Sequence, residues 1–513
     1  MKKALFLITE LQKPVGGLHR YATEILQAWR NQINLQKAQY EPIVVSMRDP
    51  ATTATDLRFS TEHEEFMHAH PNILVYEGIR GGEKCYFLES TLSEDAKNAF
   101  HGELWLKYRI KSDKMSNWGF YRMLNAYWKA VPEFAEYLVN KKKEDIAVID
   151  AQDWLAFPAG FLTREKIKRP LNCRFHSGEF GRSLGTPDFE AAPVLIETAA
   201  LQEADYIQGV SVHEAQFEIY NLLPHKQKLR ETFSSFKSAQ WLQYQKWKEE
   251  VFEDFLLFEA GSDLEIVTDS VAGLTNGIIL DPWKTVTVDQ IKSGRHIFEK
   301  ALPGKDKYVL FIGRAEWRKG IDALIQAFGI LLHTTRLNAG LIISSSLSDE
   351  EYAKYYGQIQ KQNLHSDAII YNGWLGEEVK MGLFCAADVI ALPSLYEPFG
   401  LVTLEVMAAD LVSETHGLTG PIAVVGDTGG MAEVIKNGAN GFKVPMEADR
   451  FDLNPQFLAR ILKLSLESDS LKKHISKGGA QRVSQRYFDW NFIVQKVFEI
   501  YSHAEKNYER FEK

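Results

Sequence analysis

The sequence predicts an α/β fold of two doubly wound domains with parallel sheets, and three features carry that expectation. Short apolar runs alternate with amphipathic stretches along most of the 513 residues, the sequence form of βαβ units. The alternation occurs twice. Between the two series, Asn276-Gly277 and Asp281-Pro282-Trp283 supply the turn residues of a connector. At roughly 150 residues per domain the length accommodates two large domains with additions.

In the first series, strands are expected at Ala4–Ile8, Pro42–Ser46, Ile73–Tyr76, Ile146–Asp150, Asn172–His176 and Tyr206–Val210. Met1-Lys2-Lys3 before an apolar run resembles a secretory leader, but the run breaks at Thr9-Glu10, so a first buried strand is expected. The second series places strands at Val309–Gly313, Ala339–Ser344, Ala368–Tyr371, Val389–Leu392, Ile422–Val425 and Gly441–Val444. The expected domains are residues 1–280 and 281–485, followed by a C-terminal helix at 486–513. Two segments exceed a minimal domain. Residues 225–262 carry Trp241, Tyr244, Trp247, Val251, Phe255 and Phe258 at steps of three and four, which predicts an inserted amphipathic helix. Its apolar face suits core packing, with an acceptor-binding or oligomer surface as the alternative. Ser413 to Gly420 is expected to be a polar surface loop.

Composition narrows the function. Lys and Arg number 59 against 68 Asp and Glu, a net charge of −9 that argues against general nucleic-acid binding. Cys85, Cys173 and Cys385 match no metal or redox spacing, as expected of a cytoplasmic chain with reduced thiols. No apolar stretch approaches the ~18 residues of a membrane span, which leaves only peripheral membrane contact open.

Chemistry concentrates at strand ends. Leu392 to Glu405 reads as a buried strand, a turn holding Glu397 and Pro398, and a helix opened by Gly400 with Glu405 in its second turn. Free amides at a helix start bind phosphate, and a carboxylate can accept two hydrogen bonds from vicinal hydroxyls. Val309 to Gly320 is again a strand, a glycine and basic residues, so Arg314 and Lys319 lie where α/β folds bind ligands. A guanidinium fork and an ammonium there can neutralise a leaving diphosphate without a metal. Gly16-Gly17 follows the first strand and lets backbone approach a ligand closely. His176 ends another strand.

Gly16-Gly17, His176, Arg314 with Lys319, and Glu397 with Glu405 resemble the active-site set of retaining GT-B glycosyltransferases, especially the glycogen/starch synthase group and its sister family of sugar-nucleotide transferases. Supporting elements are Ala204-Asp205-Tyr206, Asn276-Gly277-Ile278, Thr428-Gly429-Gly430, Asn437 to Phe442, and Phe488-Asp489-Trp490 with Tyr501. The resemblance is dense over 300–505 and scattered over 1–280. It implies two Rossmann-like domains facing across a cleft, an acceptor side in the first, a nucleotide-sugar side in the second, and a last helix that crosses back.

By resemblance, Arg314 and Lys319 bind the donor diphosphate, Glu405 the ribose, and Glu397 with Phe399, Gly400 and Leu401 the sugar. Gly373-Trp374-Leu375 takes the base, Gly16, Gly17 and Thr403 complete the donor site, and His176 meets the reacting face. Front-face substitution needs no protein nucleophile, no metal and no cofactor beyond the nucleotide sugar. The implied reaction moves glucose from UDP- or ADP-glucose to a glycan hydroxyl. The chain departs from the synthases where Pro14-Val15 precedes the glycines, and where Gln152-Asp153-Trp154-Leu155 lacks both histidines of their His-Asp-Trp-His element. A lipid or cell-envelope acceptor, and a non-catalytic nucleotide-sugar binder, are the alternatives.

Overall fold

The computed structural model describes residues 1–13, 16–52, 56–115, 119–183, 188–235, 237–258, 264–373, 375–447 and 454–512. Their contacts form two units, Met1–Asn276 with Trp490–Lys513, and Gly277–Asp489.

The first unit holds a sheet of ten strands among the described residues: β1 (Lys2–Ile8), β2 (Tyr40–Met47), β3 (Arg58–Phe59), β4 (Ile73–Arg80), β5 (Glu83–Ser90), β6 (Ile146–Gln152), β7 (Leu171–Phe175), β8 (Tyr206–Gly209), β9 (Glu265–Val267) and β10 (Val271–Leu274). Their order is β3-β4-β5-β2-β1-β6-β7-β8-β10-β9. From β5 to β10 neighbours run parallel, and Leu5, Leu7, Val45, Ile149 and Cys173 are buried in the core. Both edges correct the all-parallel expectation, because β3/β4, β4/β5 and β9/β10 are antiparallel. The reason at β4/β5 is the loop. Gly81 and Gly82 have φ of 56° and 80°, the two positive values a tight two-residue hairpin needs, and such a loop joins only antiparallel strands.

The second unit has six parallel strands among the described residues: β11 (Lys307–Ile312), β12 (Ala339–Ser345), β13 (Ala368–Asn372), β14 (Val389–Leu392), β15 (Ile422–Gly426) and β16 (Phe442–Val444). The order β13-β12-β11-β14-β15-β16 reverses direction between β11 and β14. Doubly wound sheets open a crevice beyond the carboxyl ends of the strands at that reversal. Val309, Phe311, Leu341, Ile343, Val389 and Val424 fill the core beneath it.

The helix Trp490–Glu512 packs on the first unit. Tyr501 Oη donates to Asp150 Oδ2 at 2.6 Å, and Trp490 Nε1 to Glu24 Oε2 at 2.6 Å. Asn507 Nδ2 donates to the carbonyls of Asp205 and Asp269.

The segment expected as one helix over 225–262 is two helices, Val212–Phe233 and Ala239–Leu256, with 236 and 259–262 outside the described residues. The buried strip is also turned from the expected one. Tyr244, Gln245, Lys248, Glu249, Phe252 and Phe255 face inward, whereas Trp241 and Trp247 are half-buried and Phe258 is 48% exposed. Lys248 is the cause. Its Nζ donates to the carbonyls of Leu201, Gln202 and Ala204 at 3.0, 2.6 and 3.0 Å, satisfying the C-terminal end of the helix Ala192–Glu203 where a cation is favoured. Burial, with the nearby Lys226 charge, holds the Lys248 pKa well below the usual lysine range. Phe511 covers Tyr244 at 4.4 Å between ring centres. The expected loop 413–420 begins later than the sequence suggested, since the helix Leu401–Thr415 runs through a buried Ser413; only 414–418 are exposed.

Lys248→Ala strands the buried carbonyls of Leu201 and Ala204, while that of Gln202 keeps Gln245 Nε2 at 3.1 Å, and is expected to destabilise the protein by about 3 kcal/mol, read as a lowered urea midpoint; a midpoint unchanged from wild type contradicts the capping role.

Candidate functional site in the second unit

Two loops meet where β11 and β14 end. After β11 the chain passes Gly313 and the turn Trp317–Lys319 to Gly320, whose φ is 72°, and enters the helix Ile321–Thr334. A Cβ at Gly320 would overlap the Pro393 carbonyl oxygen. Leu395 N–H donates to the Arg318 carbonyl at 2.7 Å, so the two loops are joined backbone to backbone. On this frame Lys319 Nζ forms an ion pair with Glu397 Oε2, both side chains mostly buried. Arg314 is not brought to that pair. It is 69% exposed and bonds Glu316 Oε1 at 3.1 Å, while Arg318 Nε takes Glu316 Oε2 at 2.6 Å.

The turn carrying Glu397 rests on a second glycine loop. Gly429 has φ 52°, and a Cβ there would overlap the Glu397 carbonyl oxygen; one at Gly430 would sit 2.6 Å from Phe399 Cα. Gly430 N–H donates to the Pro398 carbonyl at 2.9 Å. Gly400 (φ 81°) then starts the helix Leu401–Thr415, and no side chain caps it. The open amides and the positive end of the helix dipole favour an anion beside Lys319. Thr403 and Glu405 are buried one turn in, and Glu405 Oε1 receives Lys380 Nζ at 2.8 Å. Gly373 N–H bonds the Ser345 carbonyl at 3.0 Å, and Leu375 is half-buried beyond it; Trp374 lies outside the described residues. Among the described residues no group of three or more His, Cys, Asp or Glu is arranged to hold a metal ion.

Gly16, Gly17 and His176 belong to the first unit. Gly16 (φ 95°) precedes the helix Gly17–Asn34, and both glycines are exposed; Pro14 and Val15 lie outside the described residues. His176 Nε2 donates to Gln152 Oε1 at 3.0 Å, and its ring meets Tyr21 edge-on at 4.4 Å. Desolvation, then the Arg174 charge, holds this imidazole well below its ordinary pKa, so it is neutral. The following turn is gripped by carboxyl groups from two helices: Gly178 N–H donates to Glu214 Oε1 at 2.9 Å, Glu179 N–H to both oxygens of Glu197 at 3.0 and 3.1 Å. Sequence reasoning missed this grip and the Lys380–Glu405 contact, since those partners are distant in sequence, and it passed over Glu316, which sits two residues from each of its arginine partners.

Gly429→Ala is expected to push the Glu397 turn out of place and cost about 2 kcal/mol or more in stability, seen as a lowered melting temperature; wild-type melting disproves the close packing. The His176 ring signal, identified by its loss in His176→Asn, is expected to stay in its neutral position as pH falls from 8 to 6. A midpoint near the ordinary ~6.5 would refute its desolvation.

Residues 293–482 match the family Glycosyl transferases group 1. The chain is 29% identical over 360 residues to a glycosyltransferase of Methanocaldococcus jannaschii, covering 70% of this chain and 75% of that protein. It is 24% identical over 233 residues to an α-maltose-1-phosphate synthase of Mycobacterium tuberculosis, covering 44% of this chain and 55% of that protein. In structure it resembles the catalytic domain of starch synthase IV from Arabidopsis thaliana bound to ADP and acarbose, with TM-score 0.64, 15% identity, and coverage of 98% of this chain and 99% of that one. Two α/β units with doubly wound sheets give this chain the GT-B fold, and its segment 293–482 matches the group 1 glycosyltransferases, which supports a nucleotide-sugar-dependent glycosyltransferase.

Proposed function

We propose that the protein transfers a hexosyl group, glucose, from UDP- or ADP-glucose to a glycan hydroxyl with retention of configuration, in the cytoplasm. The observation that carries this reading is the Lys319–Glu397 pair beside the uncapped helix at Gly400, at the sheet's reversal point. Lys319 and the amides of Leu401 and Val402 stabilise the departing diphosphate, and Arg314 joins them by exchanging Glu316 for phosphate. Glu397 accepts hydrogen bonds from sugar hydroxyls, Glu405 from the ribose, and the Gly373–Leu375 segment takes the base. The bond from C1 to the β-phosphate oxygen breaks while the acceptor oxygen bonds C1 on the same face, and the acceptor proton passes to the departing diphosphate. In this reading no metal takes part. Cys85, Cys173 and Cys385 are buried and unpaired, which suits a reducing compartment.

A sugar phosphate is the second acceptor reading, favoured by the likeness to α-maltose-1-phosphate synthase. Among the described residues no helix is long and apolar enough to cross a membrane, so a lipid acceptor would have to be met at the membrane surface.

Nucleotide release from UDP-glucose, ADP-glucose and GDP-mannose, measured with and without oligoglucan or glucose 1-phosphate, tests the proposal. Release from one glucose donor, raised by oligoglucan, is expected, and stimulation by glucose 1-phosphate alone selects the second acceptor. Lys319→Ala should lower kcat/KM by about 10²-fold. Nucleotide binding without any release would instead indicate a binding protein.

A further inference from the structure

Lys380 stands on the helix Glu377–Ala386, just after Gly373 and Leu375, and reaches to the helix that begins at Gly400. Its Nζ lies 2.8 Å from Glu405 Oε1 and 2.8 Å from Glu377 Oε2. The Lys380 side chain is 12% exposed and that of Glu405 3%, whereas Glu377 is 76% exposed. The contact with Glu377 is therefore a weak surface pair, and the contact with Glu405 is a desolvated one held by close geometry. An ammonium has three donors, of which these carboxylates engage two.

This arrangement fits a particular chemistry. Each hydroxyl of a vicinal diol both donates and accepts, but a carboxylate only accepts. A carboxylate with an ammonium beside it offers acceptor and donor together. We propose that Lys380 positions Glu405 and joins it in reading the 2′,3′-diol of the donor ribose, so that the site selects ribonucleoside diphosphates over their deoxy forms. The assignment rests on the donor site proposed above and adds a residue to it. Lys380 fixes one carboxylate oxygen of Glu405 toward the Glu377–Ala386 helix and directs its third donor to the sugar.

Calorimetric titration with UDP, ADP, GDP, their 2′-deoxy counterparts and inorganic pyrophosphate separates the possibilities. Wild-type protein is expected to prefer its ribonucleotide over the deoxy form. In Lys380→Met, ribonucleotide affinity should fall about tenfold, while deoxynucleotide and pyrophosphate binding stay as in wild type. Lys380→Arg should recover part of the loss, and donor KM should rise by a larger factor than kcat falls. An unchanged ratio of ribo- to deoxynucleotide affinity in Lys380→Met, with pyrophosphate still bound, overturns the role of Lys380 and leaves the donor site standing. Should Lys380→Met lose pyrophosphate as well, the same ratio read in Lys380→Arg decides in the same way. Wild-type protein that binds none of the nucleotides overturns the donor site itself, and the Lys380 assignment with it.

Discussion

Gly320, Gly426 and Gly429 stand where a side chain cannot, because the carbonyl oxygens of Pro393, Ser394 and Glu397 occupy the space a Cβ would need. Main chain lies against main chain at the ends of β11, β14 and β15. That contact brings the turn after β11 and the turn after β14 close enough for Lys319 to meet Glu397, beside the start of the Leu401–Thr415 helix, which no side chain caps. The electrostatics of the site therefore follow from backbone packing. Charged side chains on flexible loops would hold a diphosphate at a larger entropic cost than groups already fixed in place.

The first unit reaches a comparable rigidity by different means. Its His176 turn is held by the carboxyl groups of Glu197 and Glu214, and burial raises the Glu197 pKa well above the usual glutamate value. Arg174 lies over Tyr21 at 4.7 Å and donates to Asn276 Oδ1 at 3.1 Å. Asp150 accepts from Asn172 and Tyr501, both at 2.6 Å. Polar groups buried at this density specify one arrangement, because an unmet partner in a low-dielectric interior is expensive.

Much of this was legible in the sequence, and the parts that were not have physical reasons. β11 and β14 are covered on both faces, so they read as unbroken apolar runs between turn residues. β5 escaped notice because its residues alternate between buried and half-buried, and only the Gly81-Gly82 pair marked the hairpin that pairs it with β4. The strip of the Ala239–Leu256 helix was misplaced because aromatic residues were taken to mark the buried face, whereas a lysine bonded to three carbonyls is satisfied there too. Lys319 and Glu397 were singled out by their places after strands. Lys380 carried no such mark, since its partner Glu405 lies 25 residues on in another helix.

The first unit is interrupted in the chain: residues 277–489 separate Asn276 from the Trp490–Glu512 helix. During synthesis the second unit is made in full, with all of its described strands, before Tyr501 exists to meet Asp150 or Trp490 to meet Glu24. Until then Asp150 lacks one of its donors, and Trp29 and Tyr40 lack the rings of Phe498 and Tyr501 that cover them. The order of birth is thus the reverse of the order of completion. The later-made unit is the first to have all of its residues, and a ribosome that stops short of the last helix releases a protein whose second unit is complete and whose first unit still lacks its closing helix.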